Sequence, residues 1–171
     1  MKSMRSFKKG VMSITDANIG WGMMLGGLAL VVIVAGVLVY KMSTASDMTT
    51  YGTILTETKN YRPSTGYGTS DYVPTLINAN ALPKSVNVTG TKIYNKSGGE
   101  ITVVGANTGF TMTTQKVSQG DCITMAQRYS ILDMATTSIN GTSYSGEVTA
   151  PDANTSCKSG NTNTIAFTTN S

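Results

Sequence analysis

Two cysteines are the side chains with the clearest capacity for chemistry in this chain of 171 residues. Cys122 and Cys157 both lie in the C-terminal half, and the sequence contains no histidine. An even pair of cysteines without histidine favours a disulfide over a metal site, with two unrelated buried thiols as the alternative. We therefore expect a disulfide that stabilises the fold by roughly 3 to 4 kcal/mol, and neither a metal ion nor another cofactor.

The sequence contains few side chains that are suited to catalysis. The absence of histidine removes the commonest general base. The nine acidic residues are scattered without a pair at helix or strand spacing, and Gly98-Gly99 has no Lys and Ser or Thr to complete a phosphate-binding loop. A Ser or Thr nucleophile assisted by Lys stays open, but no residue is singled out. The sequence therefore predicts no catalytic residues and no enzyme.

Positive charge is concentrated at the N-terminus. Four of the 13 basic residues lie within residues 1–10, which contain no acidic residue, and the other nine balance the nine acidic ones. The net charge of +4 therefore belongs to this tip, and we expect no nucleic-acid partner. Only 13% of all residues are charged, while Thr, Ser, Asn and Gly dominate the region after Tyr61. A polar but weakly ionic surface suits an exported protein.

An apolar segment follows the basic tip. Residues 21–40 (WGMMLGGLALVVIVAGVLVY) have the length of a membrane-spanning helix, with Trp21 and Tyr40 at its ends. The preceding basic residues place the N-terminus in the cytoplasm and the later residues outside it. A cleavable secretory signal is disfavoured by the length of the run and by Lys41, whereas a plain single-pass anchor fits the hydropathy equally well.

Polar residues precede this segment and a helical pattern follows it. Asp16 lies just before the apolar run, where a carboxylate in lipid costs on the order of 2.5 to 3.5 kcal/mol and therefore needs a partner. After the run, apolar residues recur at three- and four-residue steps. They are Met48, Tyr51, Ile54, Leu55, Thr58 and Tyr61. Because the residue before Pro63 disfavours helix, we expect the helix to end near Arg62.

The first half of the remaining sequence predicts a loop and then a sheet. Residues 63–84 are punctuated by Pro and Gly, with one helical turn over Val73 to Ala79 that buries Leu76 and Ile77. Alternating apolar residues then predict strands at 86–94, 101–104 and 110–116, separated by turns at 95–99 and 107–109. These short connections favour an antiparallel meander.

The last third returns to helical spacing before a final strand. Cys122, Met125, Tyr129 and Leu132 share one face of a helix predicted over residues 118–133, with Asp121 as its N-cap. Residues 136–162 lack periodicity and are expected to be irregular unless Cys157 ties them to this helix. Residues 164–169 alternate as a terminal strand with Ile165 and Phe167 pointing inward.

The layout from Lys8 to about Arg62 resembles that of type IV pilins. A short basic leader ends in Gly10, an apolar helix starts directly after it, and one long helix continues into a polar, sheet-rich head. More narrowly, the layout is similar to type IVb pilins of the PilS type, the major subunits of the thin pili of conjugative plasmids. Beyond Arg62 the resemblance rests on layout alone: the loop that ends at residues 81–83, the Cys122 helix and the strand after Cys157.

The resemblance implies an α+β fold and a division of the chain. The C-terminal half of a long N-terminal helix would pack on an antiparallel sheet in a head with one disulfide. The implied parts are a leader at residues 1–10, a helix at 11–62 and a head at 63–171, the helix being apolar over 11–40 and amphipathic over 41–62.

The resemblance also implies roles for residues near the N-terminus. A prepilin peptidase would cut between Gly10 and Val11, since Lys8 and Lys9 directly precede this bond; the alternative bond after Gly20 has no basic residue close by. Pilins usually carry Glu at the fifth mature position, where it pairs with the freed amine of a neighbouring subunit.

This chain departs from that pattern. It has Thr15 at the fifth mature position and its acid one residue later, at Asp16. Three roles are open for Asp16. It pairs with the freed amine of a neighbouring subunit, it pairs with a side chain instead, or it is an interfacial residue of a plain membrane anchor. The apolar helix contains Gly22, Gly26 and Gly27. These glycines allow either close packing against another helix or local unfolding of the helix itself.

The function implied by the resemblance is structural. The chain would be the major subunit of a type IVb pilus, polymerising into an extracellular fibre for cell attachment in plasmid conjugation. Its partners would be further copies of the chain in a helical filament, a prepilin peptidase, an inner-membrane platform with its ATPase, an outer-membrane secretin and an adhesive tip subunit. The prepilin would lie in the inner membrane. The alternatives are a minor pilin, a secretion pseudopilin or a membrane-anchored periplasmic binding domain.

Overall fold

The structure is a computed structural model that describes residues 48–170. The predictions for the leader, the cleavage bond, Thr15, Asp16, the helix glycines and the apolar run of residues 21–40 concern residues 1–47 and lie outside the described residues. Within residues 48–170, no helix is long and apolar enough to span a membrane.

Residues 48–60 form helix α1, which buries one face. Met48, Tyr51, Ile54, Leu55 and Thr58 are all at most 6% exposed, as their helical spacing predicts. The prediction that Tyr61 is the sixth buried residue of this face is wrong, since Tyr61 is 37% exposed. It lies past the helix end, where its backbone N–H donates to the carbonyl of Thr58 and the chain turns away from the core.

Three further helices and seven strands follow α1 in the described residues. The helices are α2 (Val73–Asn78), α3 (Gln119–Ser130) and α4 (Ala150–Ser156). The strands are β1 (Asn87–Thr89), β2 (Lys92–Tyr94), β3 (Glu100–Ala106), β4 (Gly109–Ser118), β5 (Met134–Ile139), β6 (Thr142–Tyr144) and β7 (Asn161–Thr169). The predicted α+β class is confirmed.

The strands pair in one antiparallel sheet of order β1-β2-β3-β4-β7-β5-β6. The meander predicted from the short turns is confirmed for β2, β3 and β4. The single strand predicted over residues 86–94 is wrong: the chain turns at Gly90, whose φ is 62°, and β1 and β2 pair with each other as antiparallel strands. The C-terminal strand β7 inserts between β4 and β5, so that Phe167 pairs with Met112 on one side and with Thr137 on the other. The last strand of the chain is therefore central to the sheet.

Residues 136–162, predicted to be irregular unless Cys157 ties them to the Cys122 helix, are tied to it by the Cys122–Cys157 disulfide and form regular elements. A hairpin of β5 and β6 turns at Asn140 and Gly141, whose φ angles of 51° and 91° suit an Asn-Gly turn. Helix α4 then starts after Thr149, whose hydroxyl accepts from the backbone N–H of Asp152. Pro151 occupies the first turn of this helix, where a missing N–H has no cost.

Helix α3 differs from its prediction at both ends. The N-cap is Ser118 and not Asp121: the Ser118 side chain accepts from the Asp121 backbone N–H and donates to the Asp121 carboxylate at 2.6 Å. The helix ends at Ser130, so Leu132 lies beyond it and is 50% exposed, whereas it was expected on the buried face. Cys122, Met125 and Tyr129 are buried as predicted.

The helices pack against one face of the sheet. The Tyr51 hydroxyl of α1 bonds the hydroxyl of Thr114 on β4, and the Tyr129 ring of α3 packs edge-on against Phe167 on β7. The alternating positions of the central strands face the other way and are only partly buried. Most carry small, uncharged side chains: Thr102, Thr111, Thr113, Thr136, Ser138, Thr164, Ala166 and Thr168, with Val104 exposed. Glu100 at the start of β3 shares their parity and forms an ion pair with Lys92 of β2 over 3.0 Å.

Gly99, in the turn between β2 and β3, gives a test of the sheet's packing. An added Cβ would lie 1.8 Å from the backbone oxygen of Gln115, so we expect Gly99→Ala to destabilise the head by about 3 kcal/mol or more. Gly120→Ala is the control, because this helical position opens into free space and Ala should stabilise it by about 0.5 kcal/mol. Thermal unfolding of the full chain in detergent measures both, and equal melting temperatures for the two variants would contradict the packing described.

Candidate functional site

Hydrogen bonds hold both ends of the described part of α1 to the head. Near its start, the Tyr129 hydroxyl of α3 donates to the carbonyl of Met48, and the hydroxyls of Thr50 and Ser85 lie 2.5 Å apart. Near its end, the Tyr67 hydroxyl donates to the carbonyl of Thr58 over 3.4 Å. These partners come from three separate segments of the head, so α1 is fixed along its length and not at a single point.

Tyr129 is a buried member of this set. It is 6% exposed, and its ring centroid lies 5.3 Å from that of Phe167 in an edge-to-face arrangement. Burial raises the pKa of Tyr129 to about 12, because the phenolate would lose its hydration there. The hydroxyl is therefore a proton donor to the α1 backbone throughout the physiological range of pH.

The predicted disulfide is confirmed between Cys122 on α3 and Cys157 at the end of α4. The two Cα atoms are 5.9 Å apart and both sulfurs are buried. The bridge closes a loop with a sequence separation of 35 residues, which contains β5, β6 and α4. A loop of this length corresponds to roughly 3 to 4 kcal/mol in the chain-entropy model.

A buried asparagine organises the segment next to this disulfide. Asn163 on β7 is fully buried, and its amide donates to the carbonyls of Val117 and Lys158 at 3.0 and 2.8 Å. Its side-chain oxygen accepts from the Lys158 backbone N–H and from the Asn140 side chain at 2.7 and 2.8 Å. The β5–β6 turn, the irregular end of β4 and the chain after Cys157 thus meet at one satisfied polar group.

The sequence prediction missed Asn163, although a signal was present. Asn163 has the same parity as Ile165 and Phe167, so a strand extended by one more residue places an amide where an apolar side chain is expected. Such a polar residue is tolerated inside only when its hydrogen bonds are satisfied. Among the predicted site residues, the structure brings Cys122 and Cys157 together. Within residues 48–170, no group of three His, Cys, Asp or Glu side chains is placed to hold a metal ion.

Comparisons with known proteins agree with this architecture. The crystal structure of the type IVb pilin from Salmonella typhi is similar with a TM-score of 0.63 and 29% sequence identity, covering 74% of this chain and 99% of that one. The NMR structure of the type IVb pilin (PilS) from Salmonella typhi is 28% identical with a TM-score of 0.49, covering 73% of this chain and 94% of that one. No curated protein matches the chain in sequence. The head therefore has the type IVb pilin fold.

The family follows from the sequence itself. Residues 41–170 match the PilS family model, described as PilS N terminal, which is more than half of the chain. The chain belongs to the PilS family of type IVb pilins, so the predicted resemblance is confirmed. Pilins are structural proteins that assemble into pili displayed outside the cell, and this sets the class of function.

Tyr129→Phe tests the bond between α3 and the α1 backbone. The variant keeps the ring but loses the donor to Met48, which should lower stability at neutral pH by about 1 kcal/mol. The folded head raises the pKa of Tyr129 from 10.0 to about 12, so its contribution is complete below pH 10 and is lost as the pH rises towards 12. Over that interval the melting temperature of the wild type should fall more steeply than that of the variant.

The control for this measurement is Tyr61→Phe, because Tyr61 lies in an exposed turn. Its melting temperature should follow that of the wild type at every pH. Parallel curves for the wild type and Tyr129→Phe between pH 10 and 12 would show that Tyr129 is not held protonated by the fold.

Proposed function

We propose that this chain is the major structural subunit of a type IVb pilus used for cell attachment in plasmid conjugation. The observation that supports the proposal is the attachment of α1 to the head at both ends, directly after an apolar run at residues 21–40. Because the head is hydrogen-bonded to α1 near both ends of its described part, a pulling force on the helix is transmitted to the sheet. The conjugative role rests on the resemblance to the subunits of plasmid-encoded thin pili.

The apolar arm supplies the driving force for assembly. Each Leu, Ile, Val or Met that leaves water contributes roughly 1.5 to 3 kcal/mol. Residues 21–40 contain many such side chains, and they must be covered either by lipid or by the arms of other subunits. The subunit therefore waits in the inner membrane and then joins a bundle of arms in the fibre, with its head outside.

Processing at the N-terminus prepares this transfer. Prepilin peptidase cuts between Gly10 and Val11, leaving an arm that begins at Val11 and continues into α1, which ends at residue 60, followed by the head. The carboxylate of Asp16 then pairs with the new N-terminal amine of a neighbouring subunit, because an acid in an apolar bundle requires a cation. Gly22, Gly26 and Gly27 let neighbouring arms approach closely.

The chain performs no catalysis in this scheme, and the work of assembly comes from its partners. An ATPase acting through an inner-membrane platform extracts the cleaved subunit, and an outer-membrane secretin lets the growing filament leave the cell. The filament is a homopolymer, with an adhesive minor subunit at its tip. The mature protein is accordingly extracellular.

Intact-mass analysis of the sheared fibre fraction tests this function. The dominant protein in that fraction should begin at Val11 and should retain the Cys122–Cys157 disulfide. Recovery of an uncleaved Met1 form from membranes, with no fibre, would refute the proposal in favour of a membrane-anchored binding domain. A start at Trp21 would move the cleavage to the alternative bond, and a low abundance in the fibre would indicate a minor subunit.

Asp16→Ala tests the pairing of the displaced acid. The variant should still be cleaved, but we expect its fibre yield to fall by about tenfold or more, because the new amine loses its counter-ion in an apolar bundle. Glu147→Ala removes an exposed acid of the head and serves as the control with unchanged yield. Normal piliation by Asp16→Ala would refute the pairing.

A further inference from the structure

The turn between β5 and β6 contains the one Asn-Gly pair of this sequence, Asn140 followed by Gly141. Both residues have positive φ angles, which is the backbone that a two-residue hairpin turn needs. An added Cβ at Gly141 would meet no atom within 4 Å, so the backbone angle and not the available space requires glycine here. The fold therefore selects the dipeptide in which an asparagine side chain deamidates most readily, because glycine leaves the following backbone nitrogen unhindered.

Three hydrogen bonds hold the side chain of Asn140. Its Nδ2 donates to the carbonyl of Ser156 and to the side-chain oxygen of Asn163, both at 2.8 Å, and its Oδ1 accepts from the Thr164 backbone N–H at 2.9 Å. Both amide hydrogens are therefore engaged. Deamidation begins when the Gly141 nitrogen attacks Cγ and makes that carbon tetrahedral. This change moves Nδ2 and Oδ1 together, so the reaction has to break all three bonds.

The partners of Asn140 lie in segments that the disulfide ties to the core. Ser156 is the last residue of α4 and directly precedes Cys157, and the side chain of Asn163 bonds the backbone just after Cys157. Cys157 in turn is joined to Cys122 of α3. Without this bond, the end of α4 separates from the rest of the head at a lower cost. The hydrogen bonds that protect the amide then open more often.

We propose that the side chain of Asn140 is a deamidation site controlled by the Cys122–Cys157 disulfide. The amide is kept intact in the oxidised head and is lost in a chain whose bridge has not formed. Disulfides form in the oxidising compartments that exported proteins enter. A copy that misses this step is changed covalently, and later oxidation does not restore its amide. The inference concerns the head alone and holds for a major and a minor pilin alike.

The reaction needs only the chain and water. The Gly141 backbone nitrogen forms a bond to Cγ of Asn140, and the bond between Cγ and Nδ2 breaks. The amide proton of Gly141 passes through solvent to the departing nitrogen, which leaves as ammonia. Water then opens the cyclic imide at either of its carbonyl groups and yields aspartate or isoaspartate. No electron is transferred in any of these steps.

Loss of the amide nitrogen removes interactions that the head cannot replace. Nδ2 of Asn140 donates to two oxygens, and a carboxylate oxygen in its place would face the same two oxygens without a hydrogen to share. Asn163 cannot supply one, because its own amide donates to the carbonyls of Val117 and Lys158. Deamidation therefore damages the polar network beside the disulfide.

Asn140→Asp reproduces the aspartate product in a chain that keeps its disulfide. Its melting temperature in detergent should fall by about 5 °C or more, because the new carboxylate repels the oxygens of Ser156 and Asn163. Asn154→Asp is the matched control, since it makes the same change of charge at an exposed position of α4, and it should melt with the wild type. Equal melting temperatures for the two variants would contradict the role of the Asn140 amide.

Peptide mass analysis of the full chain in detergent measures the reaction itself. Three samples are incubated in mildly alkaline buffer: the oxidised wild type, the Cys122→Ser, Cys157→Ser double variant, and the wild type reduced and unfolded in urea. The gain of one mass unit at Asn140 should be faster in the double variant than in the oxidised wild type by about a hundredfold or more, because the bridge no longer limits opening. The urea sample gives the rate without protection.

Gly99→Ala separates control by the bridge from control by overall stability. This variant is expected to destabilise the head by a similar amount while its disulfide stays intact. Its rate of deamidation should stay well below that of the double variant. Equal rates in these two variants would overturn the proposal in favour of overall stability. Deamidation of the oxidised wild type as fast as that of the urea sample, or of the double variant as slowly as that of the oxidised wild type, would overturn it outright.

Discussion

The burial of one face of α1 is the constraint on which the rest of the head depends. Met48, Ile54 and Leu55 enter the core between the sheet and α3, and the backbone of the same helix accepts hydrogen bonds from Tyr129 and Tyr67. Apolar burial supplies the energy of this contact, while the two tyrosines fix its register.

The second half of the head is held by a different kind of interaction. Its strands contain few large apolar residues, since Thr137 and Asn163 occupy buried positions where Ile or Val would be ordinary. The Cys122–Cys157 disulfide lowers the conformational entropy of the unfolded chain. The side-chain amide of Asn163 forms hydrogen bonds with three neighbouring segments at once. The opposite face of the central strands is mostly small and uncharged, with the Lys92–Glu100 ion pair between β2 and β3.

The predictions that succeeded rest on local patterns. The buried face of α1, the meander of β2 to β4 and the disulfide follow from periodicity, turn residues and cysteine count. Strand β7 pairs with β4 and β5, and such long-range pairing cannot be predicted from a local sequence pattern. Strand β5 escaped prediction because Thr136, Thr137 and Ser138 interrupt its alternation, and α4 escaped because Pro151 indicates a break unless it is placed in a first turn.

Helical reconstruction of the sheared fibre by electron cryomicroscopy tests the central claim most directly. The account predicts that residues 21–40 of all subunits form a bundle along the fibre axis and that the heads lie outside it. A fibre in which heads contact one another without a central bundle would contradict it.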